Sequence, residues 1–214
     1  MIRFWNNFTK ITAWPAQKLV FRTRVYYEDK EVQSRRIRGA AILVSNHTSV
    51  FDYAVYLFVF FTRTLRFQMA EVLFKKKILC AYLRCMGGIY LDRFARGGGY
   101  LDESERILRR GGVVGIFPEG RLPLPNETPP LAFKPGAVIL ALRTGAPIIP
   151  LYTNGAYFTK KRAAVVIGKP ICADRLYDET LSEKENVRRI TETVRQRIVD
   201  LEKLPDEKQK PKTE

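Results

Sequence analysis

Ala40-Ala41-Ile42-Leu43-Val44-Ser45-Asn46-His47-Thr48-Ser49-Val50-Phe51-Asp52 joins an apolar run to a polar turn and then to a second apolar stretch. A short apolar run bounded by a turn signal is the pattern of a strand buried on both faces. It predicts a strand over residues 40–44. The stretch beyond the turn predicts a helix over residues 49–63, with Thr48 or Ser49 as its N-cap. A strand, a polar turn and a helix in this order form the opening unit of a sheet covered by helices.

The same alternation continues downstream. Strands are expected at 65–70, 87–93, 113–117, 147–152 and 163–167, and helices at 76–85, 101–110 and 136–144. Gly111-Gly112 stops the helix before it, as glycine does just past a helix end. Pro123, Pro125, Pro129 and Pro130 make residues 121–131 an irregular loop. Ser182 and Glu185 form a capping box for a last helix, whose apolar positions Val187, Ile190, Val194, Ile198 and Leu201 recur at helical spacing. The expected class is α/β, with a mixed, mostly parallel sheet flanked by helices. Residues 1–39 read as an N-terminal amphipathic segment and lead-in, 40–204 as the main domain, and 205–214 as a polar tail.

Composition narrows the partner. Of 214 residues, 46% are hydrophobic, which suits a globular fold rather than disorder. Lysine and arginine number 37 against 22 acidic residues, for a net charge of +15. Such a field favours nucleic acid, an anionic lipid surface or a phosphorylated substrate. No recognised nucleic-acid motif is present, and the aromatic residues cluster in apolar runs, so nucleic acid is not expected. Cys80, Cys85 and Cys172 form no Cys-x-x-Cys motif and read as reduced core residues. With a single histidine, a zinc site is not expected.

The first 22 residues place Phe4, Trp5, Phe8, Ile11, Trp14, Leu19 and Phe21 among Arg3, Lys10, Lys18 and Arg22. Aromatic residues bordered by cations suit a helix lying in a membrane interface. Packing on its own domain is the other reading. Pro15 is expected to break or kink the segment. No apolar h-region appears at the N-terminus, so no signal peptide is expected. The longest apolar run, residues 53–61, falls short of the roughly 20 residues that span a bilayer.

The only histidine, His47, stands in the turn of the opening stretch, and Asp52 follows in the expected first helical turn. A carboxylate that binds one ring nitrogen leaves the other free as a base. A nearby helix N-terminus disfavours the imidazolium and keeps the ring neutral. There is no Gly-x-Ser-x-Gly elbow to supply a protein nucleophile. A dyad alone suits attack by a substrate hydroxyl on an activated acyl group. The rival reading is an Asp that caps a helix beside a hydrogen-bonded core histidine.

Three further blocks follow in order. They are Gly87-Gly88-Ile89-Tyr90-Leu91-Asp92-Arg93, Phe117-Pro118-Glu119-Gly120 and Pro147-Ile148-Ile149-Pro150, with Phe133-Lys134-Pro135-Gly136-Ala137 between the last two. With Asn46-His47-Thr48-Ser49-Val50-Phe51-Asp52 they resemble the glycerolipid acyltransferase family that includes bacterial lysophosphatidate (1-acyl-sn-glycerol-3-phosphate) acyltransferases. The likeness covers residues 40–170.

It implies that His47 is the general base and Asp52 its orienting acid. Arg93, Glu119 and Gly120 would bind the glycerol phosphate, and Pro147, Ile148 and Pro150 would shape the acyl site. A salt bridge for Arg93 and a capped turn for Glu119 are the structural alternatives. The family commonly has Thr-Arg-Ser after Glu-Gly, whereas here Arg121 follows Gly120 directly, so Arg121 is a shifted candidate for the phosphate.

The reaction implied is acyl transfer to a lysophospholipid acceptor from acyl-CoA or an acyl carrier protein, without metal or bound cofactor. Another lysolipid, such as an ornithine lipid, is the alternative acceptor. The implied location is peripheral, on the cytoplasmic face of the cell membrane. Lys75–Lys77, Arg63, Arg66, Arg109, Arg110 and Lys160–Arg162 are candidate contacts to its anionic surface.

Overall fold

Every residue of the strand Ala41–Ser45 is buried. Side chains alternate across a strand, so a strand apolar throughout needs cover on both sides. Ala41 and Leu43 point into one hydrophobic cluster, and Ile42 and Val44 into the other.

The computed structural model describes residues 1–91, 99–159 and 162–207. In chain order the elements are α1 (Ile2–Val20), β1 (Arg24–Tyr27), β2 (Ala41–Ser45), α2 (Asp52–Val59), β3 (Leu65–Ala70), α3 (Lys77–Met86), β4 (Ile89–Leu91), α4 (Gly99–Arg109), β5 (Val113–Ile116), α5 (Gly136–Thr144), β6 (Ile148–Thr153), β7 (Ala164–Ile167), α6 (Glu183–Leu201) and α7 (Leu204–Glu207). The strands form one sheet in the order β1-β7-β6-β2-β5-β3-β4. β6, β2, β5, β3 and β4 are parallel, β7 runs antiparallel to β6, and β1 is parallel to β7. α2 and α3 cover one face through Tyr56, Leu57, Leu83 and Met86. α4, α5 and α6 cover the other through Ile107, Leu108, Val138, Leu140, Ile190 and Val194. This is the mixed, mostly parallel α/β sheet flanked by helices that the sequence predicts.

Several local expectations change. The helix expected over 49–63 is only Asp52–Val59, and its N-cap position is Phe51, without a side-chain cap. The amides of Thr48 and Ser49 point instead at the Asp52 carboxylate, which holds these residues in a turn. α1 continues through Pro15, an exposed position, as one helix. Residues 24–27, read as lead-in, pair with β7 as an edge strand. Cys172 is exposed and Cys80 and Cys85 are half-buried, so none is a core residue, although all three are free. The capping box at Ser182 and Glu185 is present.

α1 is built with its polar residues inward. Asn6 and Lys10 are fully buried, while Phe4, Phe8, Ile11 and Leu19 are 65%, 50%, 67% and 80% exposed. Asn6 Nδ2 donates to the Met86 carbonyl at 2.8 Å. Lys10 Nζ donates to the carbonyls of Phe61 (3.1 Å) and Arg63 (2.5 Å), just beyond α2. Among the described residues no helix is long and apolar enough to cross a membrane.

Burial pulls the Lys10 ammonium down to about 8 from its ordinary 10.5. The folded chain gives up this proton before the unfolded chain does. Below that range folding carries the cost of a buried charge, and stability rises as pH climbs between the two values. Lys10→Met lacks this dependence. Paired unfolding measurements in detergent should show the native chain gaining on Lys10→Met between about pH 7 and about pH 10, by on the order of 1–3 kcal/mol.

Candidate active site

The carboxyl ends of parallel strands form the crevice where open α/β sheets place their ligands. Here the ends of β2, β5 and β6 meet. Asn46, the residue after β2, fastens that strand to the end of β6. Its Nδ2 donates to the Thr153 carbonyl at 2.8 Å, and its Oδ1 accepts from Thr153 N at 2.9 Å. The next residue is His47.

Asp52 is completely buried. Its Oδ2 accepts from His47 Nδ1 (2.9 Å), Thr48 N (2.7 Å) and Ser49 N (2.9 Å). Its Oδ1 accepts from Thr48 Oγ1 (2.9 Å) and Tyr157 Oη (2.8 Å). Binding at Nδ1 fixes the tautomer with the proton on that nitrogen and leaves Nε2 as acceptor. The imidazole stacks on Phe117, with ring centroids 4.2 Å apart and planes 16° from parallel. The His47 side chain keeps 19% of its surface open to solvent. The ring is thus oriented from one edge and one face while its reactive edge remains accessible.

Glu119, after β5, is also buried. Its Oε1 accepts from His47 N and its Oε2 from Leu131 N, each at 2.8 Å. Burial raises its pKa, and the two amide hydrogen bonds partly offset this. The Phe-Pro-Glu-Gly block therefore steadies His47 twice, by the Phe117 ring and by the Glu119 carboxyl.

A family model described as Acyltransferase matches residues 24–154, well over half of the chain. The chain belongs to this acyltransferase family. It is 30% identical over 149 residues to a 1-acyl-sn-glycerol-3-phosphate acyltransferase of Bacillus subtilis (strain 168), covering 67% of this chain and 71% of that protein. It is 28% identical over 160 residues to the human 1-acyl-sn-glycerol-3-phosphate acyltransferase beta, covering 71% of this chain and 56% of that protein. The crystal structure of the 1-acyl-sn-glycerophosphate (LPA) acyltransferase PlsC from Thermotoga maritima superimposes with a TM-score of 0.65 at 25% identity. That match covers 95% of this chain and 79% of the other.

The acyltransferase brings together only part of the residue set that the sequence suggests. His47, Asp52 and Glu119 lie in one hydrogen-bonded network. Glu119, expected to bind glycerol phosphate, has each oxygen on a backbone amide. Arg93 lies outside the described residues. Arg121 has its fork on Glu127, at 2.5 and 2.6 Å, rather than open to a phosphate. Gly120 has φ +72°, and a Cβ there would come within 2.9 Å of Lys134 Nζ, so the Lys134 stem lies over this turn. Pro147 and Ile148 stand at the far end of β6, where Ile148 is buried in the core beneath α5 and α6. They register with Ile42 rather than with the turn. That strand reaches the dyad through Thr153 and the following Tyr157, which the sequence reading did not single out. The signal available was a tyrosine just past the last strand of the matched segment.

The candidate membrane arginines are largely ties within the fold. Arg63 donates to the carbonyls of Ile37, Gly39 and Gly111, and Arg66 to the Gly87 carbonyl and Glu103. Arg109 binds Glu105 and the Arg143 carbonyl. Lys75, Lys76 and Lys77 are exposed, and Lys160 and Lys161 lie outside the described residues.

Asp52→Ala deprives two half-buried amides, a hydroxyl, a phenol and the imidazole of their acceptor. The expected result is a loss of about 2–4 kcal/mol in unfolding free energy and of about a thousandfold or more in turnover. Glu119→Gln leaves one good acceptor for two amides. It should lower kcat by about tenfold or more through a loosened His47 turn, as read by steady-state kinetics.

Proposed function

We propose that this acyltransferase moves a fatty acyl group from a thioester to the free hydroxyl of 1-acyl-sn-glycerol-3-phosphate, forming phosphatidic acid. The observation that carries the reading is the His47–Asp52 pair. It is a base with one nitrogen committed to a buried carboxylate and the other accessible, with no protein nucleophile required beside it. His47 Nε2 takes the proton of the acceptor hydroxyl as its oxygen bonds to the thioester carbon. The tetrahedral intermediate collapses, the carbon–sulfur bond breaks, and the imidazolium returns the proton to the departing thiolate. The amides of His47, Thr48 and Ser49 are taken by Glu119 and Asp52, so the oxyanion draws on other donors. The reaction so written uses no metal or bound cofactor, and acyl-CoA and acyl carrier protein both fit as donors. Arg93 and Lys134 are the cations we assign to the acceptor's phosphate.

One observation favours a second acceptor. Arg121, the shifted candidate for the phosphate, is paired with Glu127, which suits a lysolipid with a different headgroup. We further infer that the enzyme attaches peripherally to the cytoplasmic face of the cell membrane. The outward aromatic face of α1 would lie in the interface, with Lys75–Lys77 near the anionic headgroups.

Thiol release from palmitoyl-CoA or an acyl carrier protein thioester should require lysophosphatidate and vanish in His47→Ala. Release that survives His47→Ala would overturn the mechanism, and release only with another lysolipid would reassign the acceptor. Both tryptophans, Trp5 and Trp14, lie in α1. Their emission should shift to the blue on adding vesicles that contain anionic lipid, and the protein should float with them. Unchanged emission and no flotation would remove the membrane assignment.

A further inference from the structure

We propose that Tyr157 is a positioning residue for the reaction, holding Asp52 and setting the strength of that carboxylate as the partner of His47. The chain turns sharply after β6 to bring the ring in. Gly155 has φ +61°, and a Cβ there would lie 2.5 Å from Thr48 Oγ1, so the turn needs glycine both for its conformation and for its closeness to the dyad loop. Tyr157 N then donates to the Gly155 carbonyl at 2.7 Å. The buried phenol donates to Asp52 Oδ1 at 2.8 Å and lies 2.9 Å from Thr153 Oγ1. Its ring is packed edge-on against Phe21 at the end of α1, with centroids 5.5 Å apart.

Burial, then the Asp52 charge, raises the phenol pKa far above its ordinary value, so it stays a donor. Thr48 Oγ1 is the only other donor on Oδ1 among the described residues, and it belongs to the same short turn as Asp52, whereas Tyr157 is anchored to the sheet through Thr153. Tyr157 thus fixes the carboxylate from the side opposite the imidazole.

A phenol donating to a carboxylate draws charge from it and weakens it as an acceptor of the His47 Nδ1 proton. Tyr157→Phe keeps the ring and deletes the donor. Asp52 then accepts more strongly from His47 Nδ1, and that proton becomes more deshielded.

His47 is the only histidine in the chain, so a single imidazole Nδ1 proton signal reports this hydrogen bond by NMR. In detergent, Tyr157→Phe should move that signal downfield. It should also lower kcat by about tenfold, with the KM for lysophosphatidate changed less than about threefold. A signal that stays put or moves upfield, or a loss carried by KM alone, overturns the proposal. The kinetic arm rests on the acyl-transfer reading, whereas the proton signal needs no substrate and stands or falls independently of it. Should Tyr157→Phe fail to fold, Thr153→Val removes the hydroxyl beside the phenol oxygen. It should move the signal in the same direction by less, and no shift there overturns the proposal.

Discussion

The buried carboxylate of Asp52 is the constraint around which the site is arranged. An isolated ionised group in a protein interior is very costly, and it is tolerated when hydrogen bonds replace the lost water. Asp52 accepts from the two amides after His47, the Thr48 hydroxyl, the imidazole and the Tyr157 phenol. These donors come from the turn after β2 and from the segment after β6. Satisfying one charge therefore fixes the turn, sets the tautomer of the base and ties two strands together.

Other polar contacts extend the same logic. Asn46 bridges β2 to β6, and Glu119, after β5, ties in the turn after β2 through His47 N and the proline-rich loop through Leu131 N. The residues nearest the base thus serve mostly to hold it still. Accuracy in placing a catalytic group is worth large rate factors. α1 shows the opposite division, because its inward contacts are polar and its apolar side chains face out. Lys10 and Asn6 satisfy carbonyls at the ends of α2 and α3, so the helix is docked by hydrogen bonds and leaves its aromatic surface exposed.

Much of this architecture was legible beforehand. The alternation of buried apolar runs with helical stretches predicted the sheet, since a fully apolar strand such as Ala41–Ser45 must be covered on both faces. Short polar signals marked ends well where the interaction is local, as with Ser182 and Glu185 or Gly111-Gly112. They failed where another side chain intervened. Thr48 and Ser49 looked like helix caps, but Asp52 draws their amides and the Thr48 hydroxyl into a turn, and the helix starts later. Residues 60–63 looked helical, but Lys10 takes two of the nearby carbonyls.

The sequence by itself determined the α/β class, the family and the pairing of His47 with Asp52, because these depend on periodicity, ordered motifs and a five-residue separation. Tertiary structure alone decided what the other polar residues do. Glu119 turned out to brace His47, Arg121 to pair with Glu127, and Tyr157 to complete the shell of Asp52, more than a hundred residues away. Each of these outcomes depends on which donor lies within hydrogen-bond distance of which acceptor. Local patterning cannot encode that distance, and only the packing of strand ends fixes it.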